Sequence, residues 1–106
     1  MQIPSSFALL GQRWTVCFVE DLSEQHDCVG DAQYRKNLIR LQANNGVVKR
    51  PQSQVEQTFL HELVHTILEA LGEKELNDNE KLVDLMAGLL HQAFTSAEYA
   101  DGTRQQ

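Results

Sequence analysis

The spacing of apolar residues changes near the middle of the chain, from alternation in the first half to a three-and-four spacing in the second. From Phe7 to Val19 β-branched and aromatic residues predominate, broken at Gly11-Gln12, which predicts two short strands joined by a tight turn. In the second strand Trp14, Val16 and Phe18 share one face and Thr15, Cys17 and Val19 the other. Both faces are largely apolar, so this strand is expected at the centre of a small sheet. Glu20 to Asp31 is polar, has no period and contains Gly30, and reads as a loop. A further strand is predicted over Asn37 to Leu41, with Ile39 and Leu41 on one side and Leu38, Arg40 and Gln42 on the other. Tyr34 to Lys36 leads into it as a candidate hairpin partner. Asn44-Asn45-Gly46 signals a turn, after which Val47-Val48 reads as a brief edge strand.

The helical period begins at Ser53. Ser53-Gln-Val-Glu56 has the capping-box pattern, and Val55, Phe59, Leu60, Leu63, Val64, Ile67, Leu68 and Leu71 follow at helical spacing until Gly72 supplies a stop. A second helix is predicted to open near Asn77 or Asp78, with Leu82, Leu85, Met86, Leu89, Leu90 and Ala93 on its buried stripe and a frayed tail from Ser96 onward. No repeat or linker divides the chain, so residues 1–106 are expected to form one domain. The fold class this implies is α+β: a small, mostly antiparallel sheet of three or four strands, packed on the first helix and an antiparallel second one.

Composition narrows the function. With 42% hydrophobic and 23% charged residues the chain has the make-up of one soluble domain, large enough for a single core and a compact site. A net charge of −6 excludes the clustered basic face that nucleic acid requires, and Lys49-Arg50 before Pro51 reads as a solvated turn. Neither a long apolar run nor a signal-like start is present, so no membrane partner is expected and the cytoplasm is the expected location. Cys17 and Cys28 read as free thiols of a reducing compartment.

His61-Glu62-Leu63-Val64-His65 is an H-E-x-x-H sequence in the middle of the first predicted helix. Residues four apart on a helix lie one above the other, so the two imidazoles can share one metal ion, for which zinc is the expected choice at one per chain. Glu62 is rotated about 100° from His61, which places its carboxylate near the open coordination position as a general base.

A catalytic zinc usually has a third protein ligand. The short turn after Gly72 would set the second helix antiparallel, bringing Glu80 opposite His65 as that ligand and Asp84 opposite His61 as the acceptor of its free ring N–H. Three alternatives stay open: Asn77-x-x-Glu80 is itself a capping box that would occupy Glu80, Asp84 could replace Glu80 on the metal, and His91 is an auxiliary candidate. His26, Asp27 and Cys28 lack paired metal spacing and read as loop residues, and nothing in the sequence places Tyr34 or Tyr99 over the metal.

Phe59-Leu-His-Glu-Leu-Val-His65 followed by Asn79-Glu-Lys-Leu-Val-Asp84 resembles the gluzincin pattern, H-E-x-x-H then N-E-x-x-x-D. That resemblance implies His61, His65 and Glu80 as zinc ligands, Glu62 as general base and Asp84 as partner of His61. The order of a strand hairpin, a glycine-containing loop, an Ile-bearing strand and then the zinc helix is similar to the small ImmA/IrrE-like metallopeptidases of bacteria, phages and prophages. The interval from His65 to Glu80 is shorter than in the large gluzincins, and their second lobe is absent.

The function expected from these residues is zinc-dependent peptide hydrolysis, with a protein or peptide as substrate. A zinc-binding regulatory or interaction module without turnover is the alternative, and a metal-free interaction protein is a third class. Oligomeric state has no signature in the sequence.

Overall fold

The computed structural model describes residues 1–100 and is an α+β fold. Its order is β1 (Ser6–Leu9), β2 (Gln12–Val19), α1 (Leu22–His26), β3 (Gly30–Gln33), β4 (Leu38–Gln42), α2 (Gln52–Leu71), α3 (Lys74–Asn77) and α4 (Glu80–Ser96). The four strands form one sheet in the order β1-β2-β4-β3, antiparallel except for the β2–β4 pair. The predicted central strand, β2, does lie between two neighbours. Its hairpin with β1 turns at Leu10-Gly11, one residue before the expected Gly11-Gln12. Both turn residues have positive φ, 48° and 76°, as a two-residue hairpin requires.

The polar stretch read as a loop holds two elements. Helix α1 is fixed by Leu22, which is fully buried, and by Gln42, whose Oε1 accepts from the Ser23 N–H and whose Nε2 donates to the Glu20 carbonyl. Strand β3 follows and pairs antiparallel with β4, the role expected of Tyr34 to Lys36, which instead form a 3₁₀ turn closed by Asn37 at a φ of 50°. The connection through α1 and β3 is what lets β4 run parallel to β2. Gly30 signalled a loop but marks a close approach: a Cβ there would lie 2.6 Å from Thr58 Cγ2 on α2.

Val47-Val48 forms no strand. The side chain of Asn45 accepts from both of their N–H groups at 2.7 Å, and Asn44 exchanges hydrogen bonds with the backbone of Arg50, so side chains replace a ladder. The Ser53–Glu56 capping box is also absent: α2 begins at Gln52 after Pro51, with no side-chain cap.

One face of the sheet carries the core. Trp14, Val16, Ile39 and Leu41 pack against Phe59 and Leu60 of α2 and Ala87 of α4, while a smaller cluster of Val64, Leu68 and Val83 joins the two helices. Helix α2 ends as expected at Gly72, whose left-handed φ of 72° allows its N–H and that of Glu73 to return to the Glu69 and Leu68 carbonyls. Helix α4 then runs antiparallel to α2, with Glu80 and Asp84 beside His61 and His91 beside Glu56.

That orientation corrects the expected stripe on α4. At about 100° per residue, Val83, Ala87 and Leu90 pack inward and Glu80, Asp84 and His91 follow the same side along α2, whereas Leu85 (57% exposed) and Leu89 (66%) face away from it. Residues 101–106 of the tail read as frayed lie outside the described residues. Among the described residues no helix is long and apolar enough to cross a membrane.

Candidate metal centre

Helix α2 puts His61 and His65 one turn apart with ring centroids 4.9 Å from each other. Glu80, the first residue of α4, faces both: its Oε2 lies 3.1 Å from His61 Nε2 and its Oε1 3.1 Å from His65 Nε2. One ligand atom from each of the three residues falls within 4.8 Å of the others, a grouping that could hold a metal ion. Glu80 is free to do this because the helix start is capped by Asn79, whose side-chain oxygen accepts from the Leu82 N–H at 3.1 Å. The Asn77-x-x-Glu80 box does not form.

The outer ring nitrogens are both held. His61 Nδ1 lies 2.7 Å from Asp84 Oδ1, and His65 Nδ1 lies 2.6 Å from Asn77 Oδ1. A carboxylate and an amide oxygen can only accept, so each imidazole carries a proton on Nδ1 and turns its Nε2 toward Glu80. The Glu80 carboxylate and the two Nε2 atoms converge on one another, and with both rings neutral a cation placed among them would meet three acceptors at once, which is the physical case for a metal here.

Asn77 was read only as a helix-start residue, and its position in the single turn α3 is what brings it under His65. Its Nδ2 donates to the Tyr34 hydroxyl at 3.3 Å, so Tyr34, which the sequence could not place, stands beside the centre. Burial pushes the Tyr34 phenol above its ordinary value, against the lowering effect of that hydrogen bond. His91 lies elsewhere: its Nε2 is 2.8 Å from Glu56 Oε1, and it takes no part in the group. Asp84 likewise sits on the outer nitrogen of His61 and not among the converging atoms.

Glu62 is 8% exposed, on the side of α2 that faces β3. Burial pushes its carboxyl above the usual range, and the two neighbouring histidines pull it back down. It lines a cavity of about 470 Å³ with Cys28, Gly30, Thr58, His61 and Arg50. A second recess of about 540 Å³ opens on the opposite side of the centre, lined by Tyr34, His65, Asn77 and Glu80.

No known family, curated protein or solved structure matches the chain. Its chemistry therefore has to be argued from these side chains. What they offer is a three-acceptor cradle at the junction of two recesses, with one desolvated carboxylate, Glu62, beside it. Cys28, read as a loop residue, and Arg50, read as part of a solvated turn, both reach this cleft, and a pattern-based reading had no signal for either.

Proposed function

We propose that this chain is a zinc-dependent metallopeptidase domain of the gluzincin type, ImmA/IrrE-like in its small size, that cleaves a protein or peptide substrate. The observation that carries the reading is the convergence of His61, His65 and Glu80, each imidazole anchored through its other nitrogen, next to a buried Glu62 that is not part of the cradle. Glu80 turns one carboxylate oxygen to each Nε2, and one ligand atom from each of the three residues lies within 4.8 Å of the others, near enough to close on one zinc held at about 2.0–2.1 Å. Zinc, when bound, supplies Lewis acidity to a peptide carbonyl and to the attacking water.

The chain's own residues supply the proton transfers and the positioning. Glu62 takes a proton as the water oxygen attacks the carbonyl carbon, and returns it to the amide nitrogen as the C–N bond breaks. Burial places Glu62 beside the cradle but outside it, where its carboxylate is left free to take a proton. Asp84 and Asn77 hold the imidazoles in one tautomer and orientation. Strand β3 ends the sheet beside α2, so its outer edge can hold an extended peptide by main-chain hydrogen bonds across the centre.

The test is Glu62→Gln, which keeps shape and removes the base. Zinc content, read by mass spectrometry, should be retained, while hydrolysis of a peptide library falls by at least about 10²–10⁴-fold with the melting temperature nearly unchanged. Unchanged cleavage with zinc bound eliminates Glu62 as the base. A wild-type protein that binds zinc and a peptide but cleaves nothing supports a regulatory module in place of a peptidase.

A further inference from the structure

Among the described residues, Arg50 is the one guanidinium that enters the cleft on the Glu62 side. Its Nη2 donates to the Thr58 hydroxyl at 2.7 Å and reaches the Gln54 carbonyl at 3.4 Å, both uncharged acceptors. Among the described residues its buried Nη1 has no acceptor and no carboxylate forms an ion pair with it. Of the two carboxylates that share the cleft, Asp84 is bonded to His61, and neither it nor Glu62 forms an ion pair with Arg50. Charged groups taken out of water are ordinarily paired, and a guanidinium matches a carboxylate through two parallel hydrogen bonds. Burial, the only influence on it, pushes the Arg50 guanidinium below its ordinary value, consistent with a missing anion.

Distance fixes what that anion belongs to. Thr58, to which Arg50 is fastened, lies three residues before His61 and four before Glu62, about 4.5–6 Å along the helix axis. An extended peptide advances about 3.3 Å per residue. A chain lying through the cleft therefore passes Arg50 within one or two residues of the metal group.

We propose that Arg50 is the specificity-determining residue of this cleft and binds a peptide carboxylate one or two residues from the bond that is cut. Substrates are then peptides with an Asp or Glu side chain, or a free C-terminal carboxylate, at that place. This rests on the peptidase reading for the position of the cut, but the carboxylate site is measurable without it.

The experiment uses zinc-loaded Glu62→Gln protein, which should bind peptide without cleaving it, and alanine hexapeptides as probes. One set is blocked at both ends and carries a single Glu, or Gln as its control, at each position in turn. The other set has no Glu and differs only in a free or amidated C-terminus. Calorimetry should show at least about tenfold tighter binding for the carboxylate member of one pair, the range of a charge-assisted hydrogen bond. Which set shows it identifies the source of the carboxylate. In Arg50→Gln the preference should vanish while zinc content stays the same. Should that variant fail to fold, Arg50→Lys keeps the charge without the fork, and the preference should fall.

Zinc-dependent binding with no carboxylate preference in either set overturns the proposal and leaves the peptidase reading intact. A carboxylate preference that needs Arg50, in a protein whose zinc-loaded wild type cleaves none of these peptides, supports the carboxylate site and overturns the peptidase reading. Failure of every peptide to bind, or a preference unchanged in the Arg50 variants, also overturns the role of Arg50.

Discussion

Asn77→Ala tests whether the centre depends on how its histidines are held. Asn77 is 9% exposed and is the acceptor for His65 Nδ1–H at 2.6 Å. Asn77 and His65 also line the open recess, so water can take over part of this bond, and truncation should cost the folded protein toward the lower end of about 1–3 kcal/mol. It also frees the imidazole to rotate away from Glu80. Loss of such an anchor lowers metal affinity by about 10–100-fold, or about 1.4–2.7 kcal/mol.

The same cut on the other histidine should split these effects. The side chain of Asp84 is 77% exposed, so in Asp84→Ala water can take over His61 Nδ1–H. Zinc affinity should again fall by about 10–100-fold because a carboxylate is lost, yet the zinc-free stability should hold. The assay pairs a zinc competition titration against a chromophoric chelator with urea unfolding in the presence of chelator. Asn79→Ala is the control: it removes the α4 cap, at about 1 kcal/mol, and should disturb zinc binding less than Asn77→Ala. If Asn77→Ala keeps zinc affinity within about threefold of wild type while Asn79→Ala loses it, the anchoring role assigned to Asn77 is wrong.

Three further outcomes follow from the same contacts. Glu80→Ala should weaken zinc binding more than Asp84→Ala does in the competition titration, and the reverse order would move Asp84 onto the metal. Gly30→Ala should destabilise by about 1–3 kcal/mol, because its Cβ meets Thr58 Cγ2 and the Thr58 hydroxyl, fastened to Arg50 and Gln54, cannot turn that methyl away. Adding Thr58→Ser, which drops only the methyl, should recover most of that loss in urea unfolding, and no recovery refutes the clash. Burial raises the Glu56 carboxyl, but the hydrogen bond from His91 and the charge of the Met1 ammonium outweigh it, so its folded pKa lies below the ordinary 4.5. Its contribution to stability is then present above pH 4.5 and lost as pH falls through that lower value. Glu56→Gln should therefore flatten the acid limb of the zinc-free stability curve, and an identical slope in both proteins would contradict the pairing.

Much of the architecture was legible because periodicity is a local property. Helix α2 could be read from its apolar spacing and its stop at Gly72, and the α+β class from the change of period before it. His61, Glu62, His65, Glu80 and Asp84 were legible for the same reason: their spacings are helix spacings, and two antiparallel helices bring them to one place. Strand β3 was missed because its pattern is set by α2 lying over Gly30, not by alternation within four residues. Arg50 was missed because a short basic pair beside proline looks solvated until the cleft behind it is known.

The two capping boxes failed for one shared reason. In Ser53–Glu56 and in Asn77–Glu80 the side chain that would have served a helix start instead accepts from an imidazole: Glu56 from His91, Asn77 from His65. A backbone N–H at an exposed helix start can be satisfied by water, so giving up its cap costs little when another cap or a proline is available, as Asn79 and Pro51 are here. The imidazoles of His65 and His91 are each only 13% exposed, so their N–H groups have less water to turn to, and leaving one unpaired costs more than losing a cap. Where helices carry inward histidines, a capping-box pattern nearby therefore marks polar side chains available to hold them. In this chain that rule selects Asn77, the residue that holds His65 in the group that could bind a metal ion.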